Sequence, residues 1–338
     1  MRKIPDIDSR KSRRKKRSLL RTSKQVFVLL AGALLAVGAL SWAELYKDAA
    51  GSRSLVLAFT PPIVAPAPRA PETRREDDEP SFDADALEEK LRDVARNRGG
   101  SYGAVVLDPA SGKSSSVAAD DEFGAASIGK LPALITLYKA AAEGKVDLDD
   151  EISILPSDVQ TYGSGVLQAY PVGTRITLRN CAFFLVNKSD NTAWVMLERH
   201  LGATRIQDQL ESLGIRDTDY EARTTTPNDV LLMLKTIANP SFTSEKLSKE
   251  MLEAMTDTYL EDRIPAGLPS NVRVAHKTGS YGPPDASFGD AAIVFQEDKD
   301  EQKKYFIVTL SSDAEEDDAR AVMREMSRTA YESISKRQ

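Results

Sequence analysis

One mixed α/β (α+β) domain, with a sheet that a helical subdomain interrupts in sequence, is the fold predicted by this chain. Two observations carry that expectation. Apolar strand-like runs stand near both ends of the folded region, and helical periodicity fills its middle. The order is a helix and two strands, a helical middle, then three strands and a closing helix. One shared sheet explains that order better than two tandem domains, and no internal repeat is evident. Length sets a third limit. The 338 residues would allow about two folded units, and 41% hydrophobic content can fill a core without a metal or disulfide staple.

The chain opens on charge. Residues 1–24 hold 11 Lys/Arg against two Asp, while the rest holds 34 basic against 49 acidic residues, so the net −6 averages a basic tail and an acidic body. Such a tail attracts either nucleic acid or an anionic membrane surface. The next segment decides for the membrane. Val26 to Leu40 is entirely apolar or Gly, and Ser41-Trp42-Ala43 extends the run to 18 residues. At 1.5 Å per residue that spans about 27 Å, enough to cross a hydrocarbon core. Arg13 to Arg17 precede it, which predicts a single-pass anchor over 26–43, residues 1–25 in the cytoplasm and the remainder outside. Ser41-Trp42-Ala43 also reads as a cleavage site, so secretion after cleavage near Ala43 stays open. Residues 44–84, rich in Pro, Ala and charge, read as a disordered tether.

The folded domain is expected over 85–336. Leu87, Leu91 and Val94 mark a first helix ending near Gly99-Gly100. Gly103 to Leu107 and Ser114 to Ala118 read as strands around the turn Asp108 to Gly112. Helices follow over Leu131 to Ala142, Leu178 to Val186, Thr192 to His200, Ala203 to Leu213 and Asn228 to Ile237. Strands return at Val272 to His276, Ala291 to Phe295 and Phe306 to Leu310, separated by turns at Gly279 to Asp285 and Glu297 to Lys303. Ala319, Met323, Met326, Ala330 and Ile334 mark the last helix.

The inventory of reactive side chains is short. Cys181 alone excludes an internal disulfide and, in an apolar helix, reads as a core residue. His200 and His276 leave little for a histidine metal site or a Ser-His-Asp triad. No metal or cofactor is expected, and protons must be moved by another residue type. His200 suits a helix C-terminus, and alternation puts His276 on the face opposite Lys277, a structural position.

Three short motifs offer that chemistry. Ser127-Ile128-Gly129-Lys130 places an amine one helical turn from a hydroxyl, where a neutral Lys can accept the Ser proton. Taken alone it is weak, since Ser12/Lys15 and Ser333/Lys336 share the spacing. Ser189-Asp190-Asn191 can shuttle a proton and position an amide, or simply cap the following helix. Lys277-Thr278-Gly279, ending a strand, can hold a carboxylate, or can be an edge Lys with a turn Gly.

In this order the three resemble the signature of class A β-lactamases and penicillin-binding proteins. Gly163-Ser164-Gly165-Val166-Leu167, Ser189 to Ala193 and Thr224-Thr225-Thr226-Pro227 extend the resemblance over roughly residues 85–335. It implies a β-lactamase/transpeptidase-like fold, a mainly antiparallel sheet flanked by helices. It implies a Ser127 nucleophile, Lys130 as base, Ser189 as proton donor to the leaving nitrogen and Lys277 as the second cation. Asn191, Thr278, Gly279 and Ser280 would bind substrate, with the Ser127 and Ser280 N–H groups as oxyanion hole. The partner would be a β-lactam or a peptidoglycan stem peptide, with no nucleic acid.

One part of the family pattern is missing. Class A β-lactamases carry Glu-x-x-Leu-Asn in a long loop before Thr-Thr-Thr-Pro, and that Glu activates the deacylating water. Here Gly214 to Arg223 runs almost directly into Thr224, and Glu221, the nearest carboxylate, stands too close to Thr224 to be equated with it. The expectation is therefore a serine hydrolase with slow or atypical deacylation. The alternatives are β-lactam hydrolysis by another base, and a non-catalytic, membrane-tethered wall-binding protein.

Overall fold

The computed structural model describes residues 82–96, 98–297 and 300–335, side chains at 297 and 300–302 excepted. The basic tail, the expected anchor and nearly all of the expected tether lie outside the described residues. Among those described, no helix is long and apolar enough to cross a membrane.

Strands β1 (Ser101–Leu107), β2 (Ser114–Val117), β7 (Arg273–Tyr281), β8 (Ser287–Glu297) and β9 (Asp300–Ser312) form the five-stranded antiparallel sheet that organises the domain. Their order across it is β2-β1-β9-β8-β7. Strands from the two ends of the chain thus meet, β1 against β9, as the split-sheet expectation requires. Alternate residues of the central strands enter two different cores. Val105, Ala291, Ile293 and Val308 face one, and Ala104, Val106, Ala292, Val294 and Ile307 face the other. A sheet covered on both faces reads as continuous apolar runs rather than clean alternation.

On the second face lie α1 (Ala84–Ala95) and α8 (Glu316–Ser335), through Leu87, Leu91, Val322, Met323 and Met326. The first face meets α2 (Leu131–Ala142) and the helical subdomain: α3 (Leu178–Asn187), α4 (Asn191–Leu201), α5 (Ala203–Ser212) and α6 (Pro227–Ile237). Cys181 is buried there. Side-chain caps start four of these helices: Asp83 on Ala86 N–H, Thr177 on Asn180 N–H, Asp190 on Ala193 N–H and Thr226 on Asp229 N–H. Gly202 ends α4, directly after His200 and Leu201.

Several elements depart from expectation. A further helix, α7 (Glu245–Ala254), follows Ser244 as its cap. Two-strand ladders join β3 (Phe123–Gly124) to β6 (Thr224–Thr225), and β4 (Glu151–Ser153) to β5 (Arg175–Thr177). The expected turn at Gly279 to Asp285 begins too early: Gly279, Ser280 and Tyr281 remain in β7, paired with Gly289, Phe288 and Ser287. Glu297 to Lys303 is likewise no simple turn, because β8 and β9 pair out to Glu297 and Asp300. Polar and glycine-rich ends of long hairpins carry low strand propensity, and ladder pairing overrides it.

Candidate active site

Lys130 is the centre of the constellation. It ends a 3-10 turn, Ala126–Lys130, that leads into α2. The expected α-helix over this motif is thus corrected to a tighter turn, and with three residues per turn Ser127 and Lys130 still stack. Lys130 is fully buried. Its Nζ lies 2.9 Å from Ser127 Oγ, 2.6 Å from the Ser189 carbonyl, 3.1 Å from Ser189 Oγ and 2.8 Å from Asn191 Oδ1. The Ser189 and Asn191 carbonyl oxygens can only accept, so they take two N–H bonds. A neutral amine has two N–H groups and one lone pair, so the lone pair is left for a hydroxyl proton. Ser127 Oγ, at 2.9 Å, supplies it.

The electrostatics favour that neutral form. Burial first, then the Lys277 cation, brings the Lys130 pKa down to about 6. Lys277 is itself buried on β7 and is lowered to about 7, chiefly by desolvation. Its Nζ donates to the Thr278 carbonyl at 2.6 Å and to Ser189 Oγ at 3.0 Å. Ser189 Oγ therefore bridges the two amines, a path along which a proton can pass.

Ser189 and Asn191 are held there by Asp190, the helix cap that the motif allowed. Asp190 caps α4 and also accepts from Val166 N–H at 2.6 Å and Leu167 N–H at 2.8 Å. Ser189 takes the left-handed conformation, φ +51, that turns its hydroxyl and carbonyl toward Lys130. Asn191 Nδ2 donates to the Tyr162 carbonyl at 3.0 Å, and a Cβ on Gly163 would strike that amide, so glycine is required at that position.

Behind β7 stands a second charged layer. As alternation predicts, His276 points away from Lys277, and it enters an ion network. Its Nδ1 lies 2.9 Å from Asp290 Oδ1, and its Nε2 lies 3.2 Å from Glu261 Oε1 and 3.0 Å from Thr258 Oγ1. Burial would lower its pKa, but the two carboxylates outweigh that and raise it to about 9. Arg263, also fully buried, donates to the Gly279 carbonyl at 2.6 Å, the Gly289 carbonyl at 2.7 Å and Ser280 Oγ at 2.5 Å. It braces the strand that carries Thr278, Gly279 and Ser280. A Cβ at Gly279 would approach Ala125 O and Ile128 N to 3.1 Å, so glycine brings β7 against the turn bearing Ser127.

Every expected site residue thus falls in one neighbourhood: Ser127, Lys130, Ser189 and Asn191 directly bonded, Lys277 through Ser189, and Thr278, Gly279 and Ser280 on the same strand. Glu221 does not join them. It is exposed in the Asp219–Thr224 hairpin, with no hydrogen bond or ion pair to another described residue. Trp194 occupies the flank of Lys130 instead, its ring centre 5.1 Å from Lys130 Nζ, with Arg223 Cζ stacked 4.4 Å from the same ring. Trp194 Nε1 donates to Tyr220 Oη at 2.7 Å, and Tyr220 in turn reaches Glu198 at 3.2 Å. Arg223, Trp194, Arg263 and Asp290 were not singled out in sequence. Only Trp194 had a signal, standing three residues after Asn191 on one helix face. No cluster of His, Cys, Asp and Glu suited to a metal occurs among the described residues.

Comparison with known proteins agrees with this geometry. The sequence model of the Beta-lactamase enzyme family matches residues 86–334. The chain is 24% identical over 218 residues to the β-lactamase VEB-1 of Pseudomonas aeruginosa, covering 59% of this chain and 73% of that protein. It is 24% identical over 236 residues to β-lactamase OXY-1 of Klebsiella oxytoca, covering 63% and 78%. Among solved structures it is similar to PBP-A, with a TM-score of 0.68 and 26% identity over 74% of this chain and 96% of that one. An ancestral class A β-lactamase gives a TM-score of 0.67 and 25% identity over 73% and 100%. A single-substitution variant of PBP-A is described as an acyl-enzyme complex with penicillin G. By sequence, fold and the order of its motifs, this chain belongs to the class A β-lactamase-like enzyme family.

Proposed function

We propose that this protein is a serine acyl-transfer enzyme that opens β-lactams or D-Ala-type cell-wall amides and releases the acyl group slowly. The observation that carries it is the Lys130 amine, buried, depressed to about 6 and 2.9 Å from Ser127 Oγ. Neutral Lys130 takes the Ser127 proton as Oγ attacks the carbonyl carbon, and the carbonyl π pair moves to oxygen. The Ser127 and Ser280 N–H groups receive that oxyanion. Collapse expels the amide nitrogen, which takes a proton from Ser189 Oγ, itself resupplied from Lys130 or Lys277. Lys277, Thr278 and Ser280 hold the substrate carboxylate, Asn191 holds the substrate amide, and Gly279 keeps β7 close against the turn that carries Ser127.

Slow release is supported by what stands beside Lys130. The family's water-activating carboxylate has no counterpart in the short loop, Glu221 faces solvent, and the flank holds an indole and a guanidinium. The acyl-enzyme described for the similar PBP-A variant supports the same chemistry. The basic tail and the apolar run at 26–43 support a membrane anchor with the enzyme on the outer side.

A chromogenic cephalosporin tests the reading. A burst stoichiometric with enzyme, then little turnover, is expected, and Ser127→Ala abolishes the burst. Steady turnover that depends on Ser127 favours the alternative base. No burst from folded protein overturns acyl transfer and leaves the wall-binding alternative.

A further inference from the structure

Arg223 occupies a position that the acyl-transfer chemistry above leaves without a task. It lies exposed at the end of the Asp219–Thr224 hairpin, in the left-handed conformation at φ +60. Reciprocal backbone bonds of 3.1 and 3.2 Å close that hairpin, and the Arg223 carbonyl accepts Ala125 N–H at 2.8 Å. Its backbone is therefore fixed against Ala125, two residues before Ser127 at the start of the 3-10 turn. The guanidinium stacks 4.4 Å from the Trp194 ring centre, on the ring that flanks Lys130. Stacking holds the planar fork in place, so little side-chain freedom remains to be lost when it binds an anion.

Neighbouring acids do not satisfy it. Glu122 accepts from Thr224 Oγ1 at 3.2 Å, Glu198 from Tyr220 Oη at 3.2 Å, and Asp219 from Ala222 N–H at 2.7 Å. No carboxylate among the described residues forms an ion pair with Arg223. The connected groups run Lys277, Ser189, Lys130, Trp194, Arg223, which puts Arg223 at the opposite end from the cation assigned to the leaving-group carboxylate.

We propose that Arg223 is a second anion-recognition point, on the acyl side of Ser127, and that the preferred acyl donor carries a carboxylate there besides the one held at Lys277. This rests on the acyl-transfer reading and narrows its substrate class to dianionic donors. Charged, planar and fork-shaped, a guanidinium selects a carboxylate over a neutral polar group by two-point hydrogen bonding.

The test uses benzylpenicillin and its α-carboxylated analogue, which differ by one acyl-side carboxylate. Second-order acylation rate constants are measured by intact-mass spectrometry for the full chain in detergent, and the ratio of carboxylated to uncarboxylated substrate is compared. Arg223→Gln is expected to lower that ratio about fivefold, a loss of the size expected for a partly solvated charge pair, and Arg223→Lys to lower it less. Raising salt should shrink the wild-type ratio and leave the Arg223→Gln ratio flat. An unchanged ratio in both variants overturns the proposal and leaves acyl transfer standing. Absence of adduct from either penicillin on the wild-type protein overturns both.

Discussion

Burial and the Lys277 cation together give Lys130 the depressed pKa that the proposed base needs. Each amine is costly to charge inside the protein, and the Lys277 cation raises that cost further for Lys130. Acylation should therefore lose rate as pH falls through about 6, where Lys130 becomes protonated and its lone pair is lost. Removing the Lys277 cation takes away the second largest cause of that depression, after burial. A Lys277→Gln variant should move the acid limb of the pH–rate profile upward, besides lowering the rate, whereas loss of substrate contact alone would leave the limb in place. Stopped-flow acylation across the acid limb, from about pH 5 to about pH 8, separates these outcomes. At this scale the sequence was informative about reactive groups and silent about their surroundings. Ser127, Lys130, Ser189, Asn191 and Lys277 were legible because motif order constrains them. Trp194 and Arg223 reach the site from a helix face and a hairpin, and nothing in the spacing of one sequence brings those together. Glu221, the nearest carboxylate to Thr224 but too close to it to match the family residue, is exposed on its hairpin and away from Lys130.

Two elements hold the site, and each answers to a different charged residue. Asp190 ties the start of α4 to the Val166–Leu167 turn through three backbone N–H groups while buried at 1% exposure. Asp190→Ala strands those donors and is expected to cost about 2–4 kcal/mol, read as a lower midpoint in urea. The β7 strand depends instead on the His276 network behind it. The folded pKa of about 9 stands above the ordinary value of 6.5, so this group stabilises the fold fully below about pH 6.5 and loses that contribution as pH rises through about 9. Lys130 and Lys277 act with the opposite sign, since their pKa values fall on folding and their burial costs most at low pH. The stability gap between wild type and His276→Gln should therefore close as pH rises from about 6.5 to about 10. A gap independent of pH would show that His276 matters only by packing. The lengths of these elements were less legible than their existence. Leu131–Ala142 and Ala203–Ser212 follow apolar periodicity, which survives any context. The ends of β7, β8 and β9 depend on cross-strand pairing, and Thr278-Gly279-Ser280 has no intrinsic strand signal to announce it.

At the scale of the whole molecule, the core around the sheet begins, among the described residues, at the buried Phe82. A chain beginning at residue 80 should therefore melt cooperatively and acylate at the rate of the full chain. The full chain, but not the shortened one, should remain with membranes after a carbonate wash. Recovery of the full chain in the supernatant would contradict the anchor and leave the enzyme untouched. The split-sheet architecture was legible because strand signals flank a helical middle, and the two small ladders were not, being only two and three residues long. What unites the scales is a proposed acylating apparatus beside a flank that holds an indole and a guanidinium. Intact-mass spectrometry of the protein mixed with benzylpenicillin and followed over time tests that union most directly. One adduct of the mass of intact penicillin should form on Ser127 and persist long after free drug is removed. Rapid return to the unmodified mass, with penicilloate accumulating, or failure of any adduct to form, would contradict it.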